Sequence, residues 1–301
     1  MAVVAIENGK LRLAVVPEAG GSVASLAARV AGDWLPILRP TPADAIAAGN
    51  SSLFASFALV PWSNRIRDAR FGFSGREIQL RPNTSEGHAI HGDVRKRPWH
   101  VVAAEKERLR LAFDSREHAG VNFPFPFASE LAYELDGTSV AMHLSLRNEG
   151  GEPMPAGIGF HPYYRRTLLE PDDDVELQMA VTGVYRGLLP TGPAQPVAPA
   201  QDFSRPRPIG SATFDQCFAG WNGRATVRWP KSGIEARVDA TDPFRHVVLF
   251  VPPGKDFFAL EPVSHVNDGF NLLAAAIPGT GVRILDPGET LSGTFRLTIS
   301  A

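Results

Sequence analysis

The chain has 301 residues with 30 Lys and Arg against 32 Asp and Glu, a net charge of -2, so nothing points to a nucleic-acid or anionic-membrane partner. Hydrophobic residues make up 44% and charged ones 21%, the balance of a globular protein with a substantial core rather than a disordered or fibrous one. The one cysteine, Cys217, excludes an internal disulfide framework and fits a reducing compartment.

The opening MAVVAIENGK carries no basic segment before its short apolar run, so it does not read as a secretory signal. No stretch reaches the roughly 18 consecutive apolar residues of a membrane span. A cytoplasmic protein is the expectation. Residues 3–16 are two apolar runs around Asn8-Gly9, a hairpin signal because both residues tolerate positive φ. Gly20-Gly21 leads into a further strand, SVASLAARV. TPADAIAAG at 41–49 predicts a short helix with Thr41 as N-cap and Gly49 as its stop. FGFSGREIQL (71–80) turns at Ser74-Gly75, and WHVVAAEKERLRLAF (99–113) is another hairpin. The cleanest alternation lies at 128–148, where Val140, Met142, Leu144 and Leu146 share one face. Strands are further predicted at 175–181, 224–229, 234–240, 282–285 and 294–300, with 186–213 a long surface connection. A second short helix is predicted at 268–276, capped by Asp268 or Asn267. No dinucleotide, P-loop or zincin signature is present. The fold class is all-β and mainly antiparallel, a large sandwich or barrel forming one domain over 1–301.

Chemistry can reside in a few segments. The apolar runs HVVLFV (246–251) and FFAL (257–260) end in Glu261 followed by Pro262, which places the carboxylate at the rim of a sheet where the strand stops. Asn64-Arg65 lies between a Pro-containing turn and a strand, and the guanidinium fork suits an oxygen-rich ligand or a nearby carboxylate. His91 sits in a glycine-flanked loop where backbone approaches a ligand closely. His88-x-x-His91 lacks the helix and partners of a metal site. His161, amid aromatics and proline, is placed for a shifted pKa, with a buried histidine donating to a carbonyl as the competing reading. Asp215 can accept from ligand hydroxyls or close an Asx turn. Nothing near Cys217 would activate it as a nucleophile.

Taken in order, LAVVPEAGGSVASL, PWSNRIRDARFGFSGREIQL, HAIHGDVRKRPWHVV, GFHPYYRR, FDQCFAGW and FALEPVSHVNDGFN resemble the aldose 1-epimerase (galactose mutarotase-like) family, and the likeness covers nearly the whole chain. It is nearest to a bacterial subgroup of undefined sugar preference. The resemblance implies a β-sandwich with an open cleft, no metal and no organic cofactor, and a monosaccharide substrate in a monomer or homodimer. It also implies Glu261 as general base, His161 as general acid, and Asn64, Arg65, His91 and Asp215 as substrate-binding groups. The expected activity is cofactor-independent interconversion of the anomers of a free aldose. The alternatives are a hexose-6-phosphate 1-epimerase, with the basic run Arg95-Lys96-Arg97 gripping phosphate, and a non-catalytic carbohydrate-binding module. His265, four residues past Glu261, is a further candidate to face the pocket.

Overall fold

Period-two alternation governs most of the chain. In the hairpin Phe127–Asp136 and Ser139–Asn148, Val140, Met142, Leu144 and Leu146 are fully buried while Glu130, Glu134, His143 and Arg147 point to solvent. The computed structural model describes residues 1–301. Its strands pair antiparallel throughout, as expected of sheets built from hairpins.

Two large sheets dominate. A nine-stranded sheet runs from His100–Ala104 through the 127–148 hairpin and Thr290–Ser300 to Arg207–Pro208. A seven-stranded sheet holds Phe214–Ala219, His246–Val251 and Phe257–Val263 in succession, then Gly159–Phe160 and Ala58–Leu59. Their facing sides share one core of 66 buried residues. Phe160 and Phe295 meet across it at 5.7 Å, and the Trp229 indole donates to the Arg165 carbonyl at 3.1 Å. This is a β-sandwich. No helix is long and apolar enough to cross a membrane.

The Asn8-Gly9 and Ser74-Gly75 turns form as predicted. Asn8 Oδ1 accepts from the backbone N–H groups of Lys10 and Leu11, which fixes the first of them. The 186–213 connection adds only a short 3-10 turn and a two-residue strand, pinned by buried Phe203 and Ile209.

Three local expectations differ. The first helix is Ala43–Ala48 with Pro42 at its N-cap; the Thr41 hydroxyl instead accepts from Ala55 N–H in the neighbouring segment. Asp268 does precede the second helix, Gly269–Ala274, but its carboxylate does not cap it. That carboxylate accepts the Arg67 N–H and so ties the helix start to a distant loop. The third difference concerns Pro262. The strand does not stop there but continues to Val263, so Glu261 is not at a rim; it is 2% exposed within a central strand.

Candidate functional site

The strand through Glu261 tolerates Pro262 because of what lies beside it. On one side Phe257–Val263 pairs with His246–Val251, placing Val248 opposite Glu261. On its other side Tyr163 faces Ala259 and Gly159 faces Val263. Between these two short ladders the chain passes through His161-Pro162, opposite Leu260-Glu261. Pro162 and Pro262 each lack the N–H a ladder needs, so pairing breaks over this stretch. The register continues across the break and sets His161 directly across from Glu261. Cross-strand neighbours on one face bring their side chains within contact, and His161 Nε2 lies 3.3 Å from Glu261 Oε1. The backbone N–H of His161 points the other way, to the Phe57 carbonyl.

Alternation assigns the faces. Phe258 and Leu260 belong to the sandwich core. Ala259, Glu261 and Val263 turn to the opposite face, with Tyr163, Cys217 and Val248 around them. Asp215 lies one residue pair along that face, since it is opposite Phe250, which is opposite Ala259.

Two further segments close over this face. Arg65–Ile66 pairs with Ala89–Ile90, and the His91 N–H donates to the Asn64 carbonyl at 2.9 Å. Asn64 and His91 both adopt left-handed backbone, at φ 49 and 63, a conformation uncommon outside glycine that recurs at ligand-binding sites. Gly92 follows because nothing larger fits: an added Cβ would lie 1.9 Å from the Val60 carbonyl. Arg65 Nη1 is 3.2 Å from Asn64 Oδ1 and 3.8 Å from Asp215 Oδ2. His91 packs against His161 at 5.1 Å between ring centroids. The cluster therefore has a buried floor, His161 and Glu261, and a partly exposed wall, Arg65 and Asp215. Glu261, His161, Asn64, Arg65, His91 and Asp215, the six residues to which the resemblance gives roles, all fall in it.

An aldose 1-epimerase family model matches residues 2–298. The chain belongs to the aldose 1-epimerase family. It is 29% identical over 311 residues to the uncharacterized protein YphB of Escherichia coli K12, covering 99% of each chain. A galactose mutarotase-like protein from Clostridium acetobutylicum superposes with a TM-score of 0.85 at 20% identity, over 98% of this chain and 94% of that one. An aldose epimerase homologue from C. elegans gives 0.84 at 18%, over 99% and 98%. The galactose mutarotase-like β-sandwich fold is thus shared by relatives with little sequence in common.

Electrostatics distinguish the floor of this family member from an ordinary buried pair. Burial raises Glu261 well above the usual carboxylate range; Asp215 adds to the shift and Arg65 opposes it. Burial lowers His161 to about 3, and the Arg95 and Arg39 cations push the same way. His91 is also held well below its ordinary value, first by burial and then by His161, Arg95 and Arg65. Both members of the His161–Glu261 pair thus favour their neutral forms, with one proton between them, on the carboxyl. A standing imidazolium, the form a general acid needs, is disfavoured by this burial and by the two cations. Glu261 Oε2, His161 Nδ1 and His91 Nδ1 are buried without partners. These three atoms belong to neighbouring side chains, so the cluster offers several polar groups at one place.

Tyr163, Phe57 and Arg39 escaped the sequence reading, and of the basic run 95–97 only one residue turns to the site. The Tyr163 hydroxyl lies 3.4 Å from His161 Nε2. It stands two residues on in the same strand direction, so alternation already placed it on His161's face. Phe57 lies against His161 at 4.8 Å. Arg95 is buried beside both, whereas Lys96 is exposed and Arg97 pairs with Asp93 at 3.1 Å. Arg39, which carried no local signal, stacks on Tyr163 at 3.9 Å.

His265 does not face the pocket. It lies behind it, where Nε2 accepts the Ser63 N–H at 3.0 Å and Nδ1 donates to the Val266 carbonyl. It holds the loop that presents Asn64-Arg65, against Gly157, where a Cβ would strike the ring at 1.8 Å. His88 accepts from Asp68 N–H and stays outside the cluster. No group of three or more His, Cys, Asp or Glu side chains is arranged to hold a metal ion. The Cys217 thiol is buried, and burial pushes it further from ionisation.

Proposed function

We propose that the protein is an aldose 1-epimerase (mutarotase) that interconverts the α and β anomers of an aldose, with Glu261 as general base and His161 as general acid. The observation that carries this reading is the register-locked contact of the two side chains at 3.3 Å. Anomer exchange acts on two oxygens, O1 and O5, bonded to the same carbon. They sit closer together than two hydrogen-bonded atoms do, so their acid and base must be near neighbours.

In the reaction Glu261 takes the proton of the O1 hydroxyl while His161 delivers one to O5. The C1–O5 bond breaks, C1 becomes an aldehyde carbon, and rotation about C1–C2 presents its other face. Reverse transfers close the ring. The reactive form carries the pair's proton on His161 and leaves Glu261 ionised, one transfer away from the resting form. Arg65 stabilises the ionised carboxylate, because it is the cation that opposes the upward shift of Glu261. Arg65, Asp215, Asn64 and His91 bind the sugar hydroxyls. The chain works as one unit in this reading, since the cluster draws on segments from Asn64 to Glu261.

The test is anomer exchange followed by NMR or polarimetry over a panel of aldoses, for the wild type and Glu261→Gln. The wild type should accelerate exchange of at least one sugar. Glu261→Gln should bind that sugar with comparable affinity and lose about 10²–10⁴-fold in rate. Sugar binding with equal inactivity of both proteins on every sugar would replace this reading with that of a carbohydrate-binding module.

A further inference from the structure

His161 Nε2 is flanked by two oxygens, Glu261 Oε1 at 3.3 Å and the Tyr163 hydroxyl at 3.4 Å. That hydroxyl has no other hydrogen-bond partner, and neither proton transfer passes through it. Packing sets its place. The Tyr163 ring lies 4.4 Å from that of His161 and edge-on to Phe257 at 5.3 Å, with the Arg39 guanidinium stacked over it at 3.9 Å. Across the ladder Tyr163 faces Ala259, the smallest side chain its partner strand turns to the cleft. A phenol clamped in this way turns only its O–H bond freely. The contact with Nε2 is long for a hydrogen bond, and catalytic contacts of this length tighten as substrate binds.

A bare imidazole nitrogen accepts, a protonated one donates, and a hydroxyl serves both by rotating. Resting on the acid–base assignment above, we infer that Tyr163 is a positioning residue for His161. Its hydroxyl fixes the rotation of the imidazole so that Nε2 faces the ring oxygen, donating to that nitrogen when it is bare and presenting a lone pair when it carries the proton. In the transfer that readies the site, the Glu261 O–H bond breaks and the His161 Nε2–H bond forms, while the phenol keeps its own proton. Burial, and then Glu261, hold that phenol above its ordinary range. When the pair has lost its proton, Glu261 has nothing to donate and Tyr163 is the donor left at Nε2. When the proton is present, Glu261 can take that place. Removing the hydroxyl therefore destabilises the proton-free pair more, and the pair holds its proton to higher pH.

The experiment follows anomer exchange of glucose, galactose and glucose 6-phosphate by NMR across pH, for the wild type and Tyr163→Phe, which retains the ring and its packing. On a sugar the wild type exchanges, kcat should fall about 10-fold, the effect of one hydrogen bond to a charged group, with KM within about two-fold. The basic limb of kcat/KM should move up by about one pH unit. Asp215 and Arg65 beside Glu261, and Arg95, Arg39 and His91 beside His161, stay in place, so the shift reports the hydroxyl. Should that variant fail to fold, the unsubstituted chain made with 3-fluorotyrosine carries a stronger donor, and its basic limb should move down. Of the other tyrosines, Tyr133 and Tyr185 donate to backbone carbonyls and Tyr164 stacks on Phe258, away from the pair. A kcat and a basic limb that both stay at the wild-type values overturn the inference and leave the epimerase reading intact. A lower kcat matched by a higher KM, with the limb unmoved, marks lost packing and also overturns it. Inertness of the wild type towards all three sugars overturns the acid–base reading itself.

Discussion

The two faces of the Phe257–Val263 strand are equally buried and chemically opposite. Towards the sandwich core, Phe258 and Leu260 are 0% exposed and belong to the large hydrophobic cluster, Phe258 stacking on Tyr164 at 5.4 Å. On the other face Glu261 is 2% exposed, yet one carboxylate oxygen has no partner, and neither does Nδ1 of His161 or of His91. Depth of burial therefore does not tell a structural face from a functional one. What separates them is that the cleft face gathers ionisable side chains, Glu261, His161 and His91, whose titration burial shifts.

The largest expected effect breaks the cleft face alone. His161→Asn should lower kcat for anomer exchange by about 10²–10⁴-fold, with the fold intact by circular dichroism; a kcat within a few-fold of wild type would remove the distinction between the faces. Leu260→Ala on the core face should do the reverse. Urea unfolding should show a loss of about 2–5 kcal/mol from the cavity, with kcat per folded molecule nearly unchanged.

A smaller effect sharpens the comparison through pH. Glu261 has its folded pKa raised, so the stability it contributes is present below the unfolded value near 4.5 and declines as pH rises. Glu261→Gln should therefore gain on the wild type above pH 4.5, by at most about 1.4 kcal/mol per pH unit. His161 is lowered from 6.5 to about 3, so the wild type loses stability as pH falls through that window. His161→Asn should gain there, with the opposite slope. Denaturation midpoints measured from pH 4 to 9 check both, and parallel curves for the two variants would show that neither group is titrated by folding. Smallest of the four, Asp215→Asn on the exposed wall should raise KM by about 10-fold, one charge-assisted hydrogen bond, with a lesser change in kcat. Saturation kinetics separate the two.

Local signals made most of the strands legible. Asn8-Gly9 and Ser74-Gly75 dictate turns through their own φ preferences, and Val140 to Leu146 declare a buried face by alternation alone. Helix caps were less legible. Thr41 and Asp268 have cap-forming side chains, but each found a better partner in a remote segment, Ala55 and Arg67. Pro262 misled for the same reason. A proline ends a strand only where a ladder needs its N–H, and here the facing chain is broken by Pro162.

By itself the sequence determined the antiparallel sheets, their turns, and the segments holding six cluster residues, because each depends on residues near one another in the chain. Tertiary structure alone decided that Glu261 lies in the sheet interior and meets His161. It also decided that His265 supports the pocket from behind, and that Arg95 points inward while Lys96 faces solvent. Those outcomes depend on strand register and on which remote groups share a buried volume, and the free energy of a charge is set by that surrounding volume rather than by its neighbours in sequence.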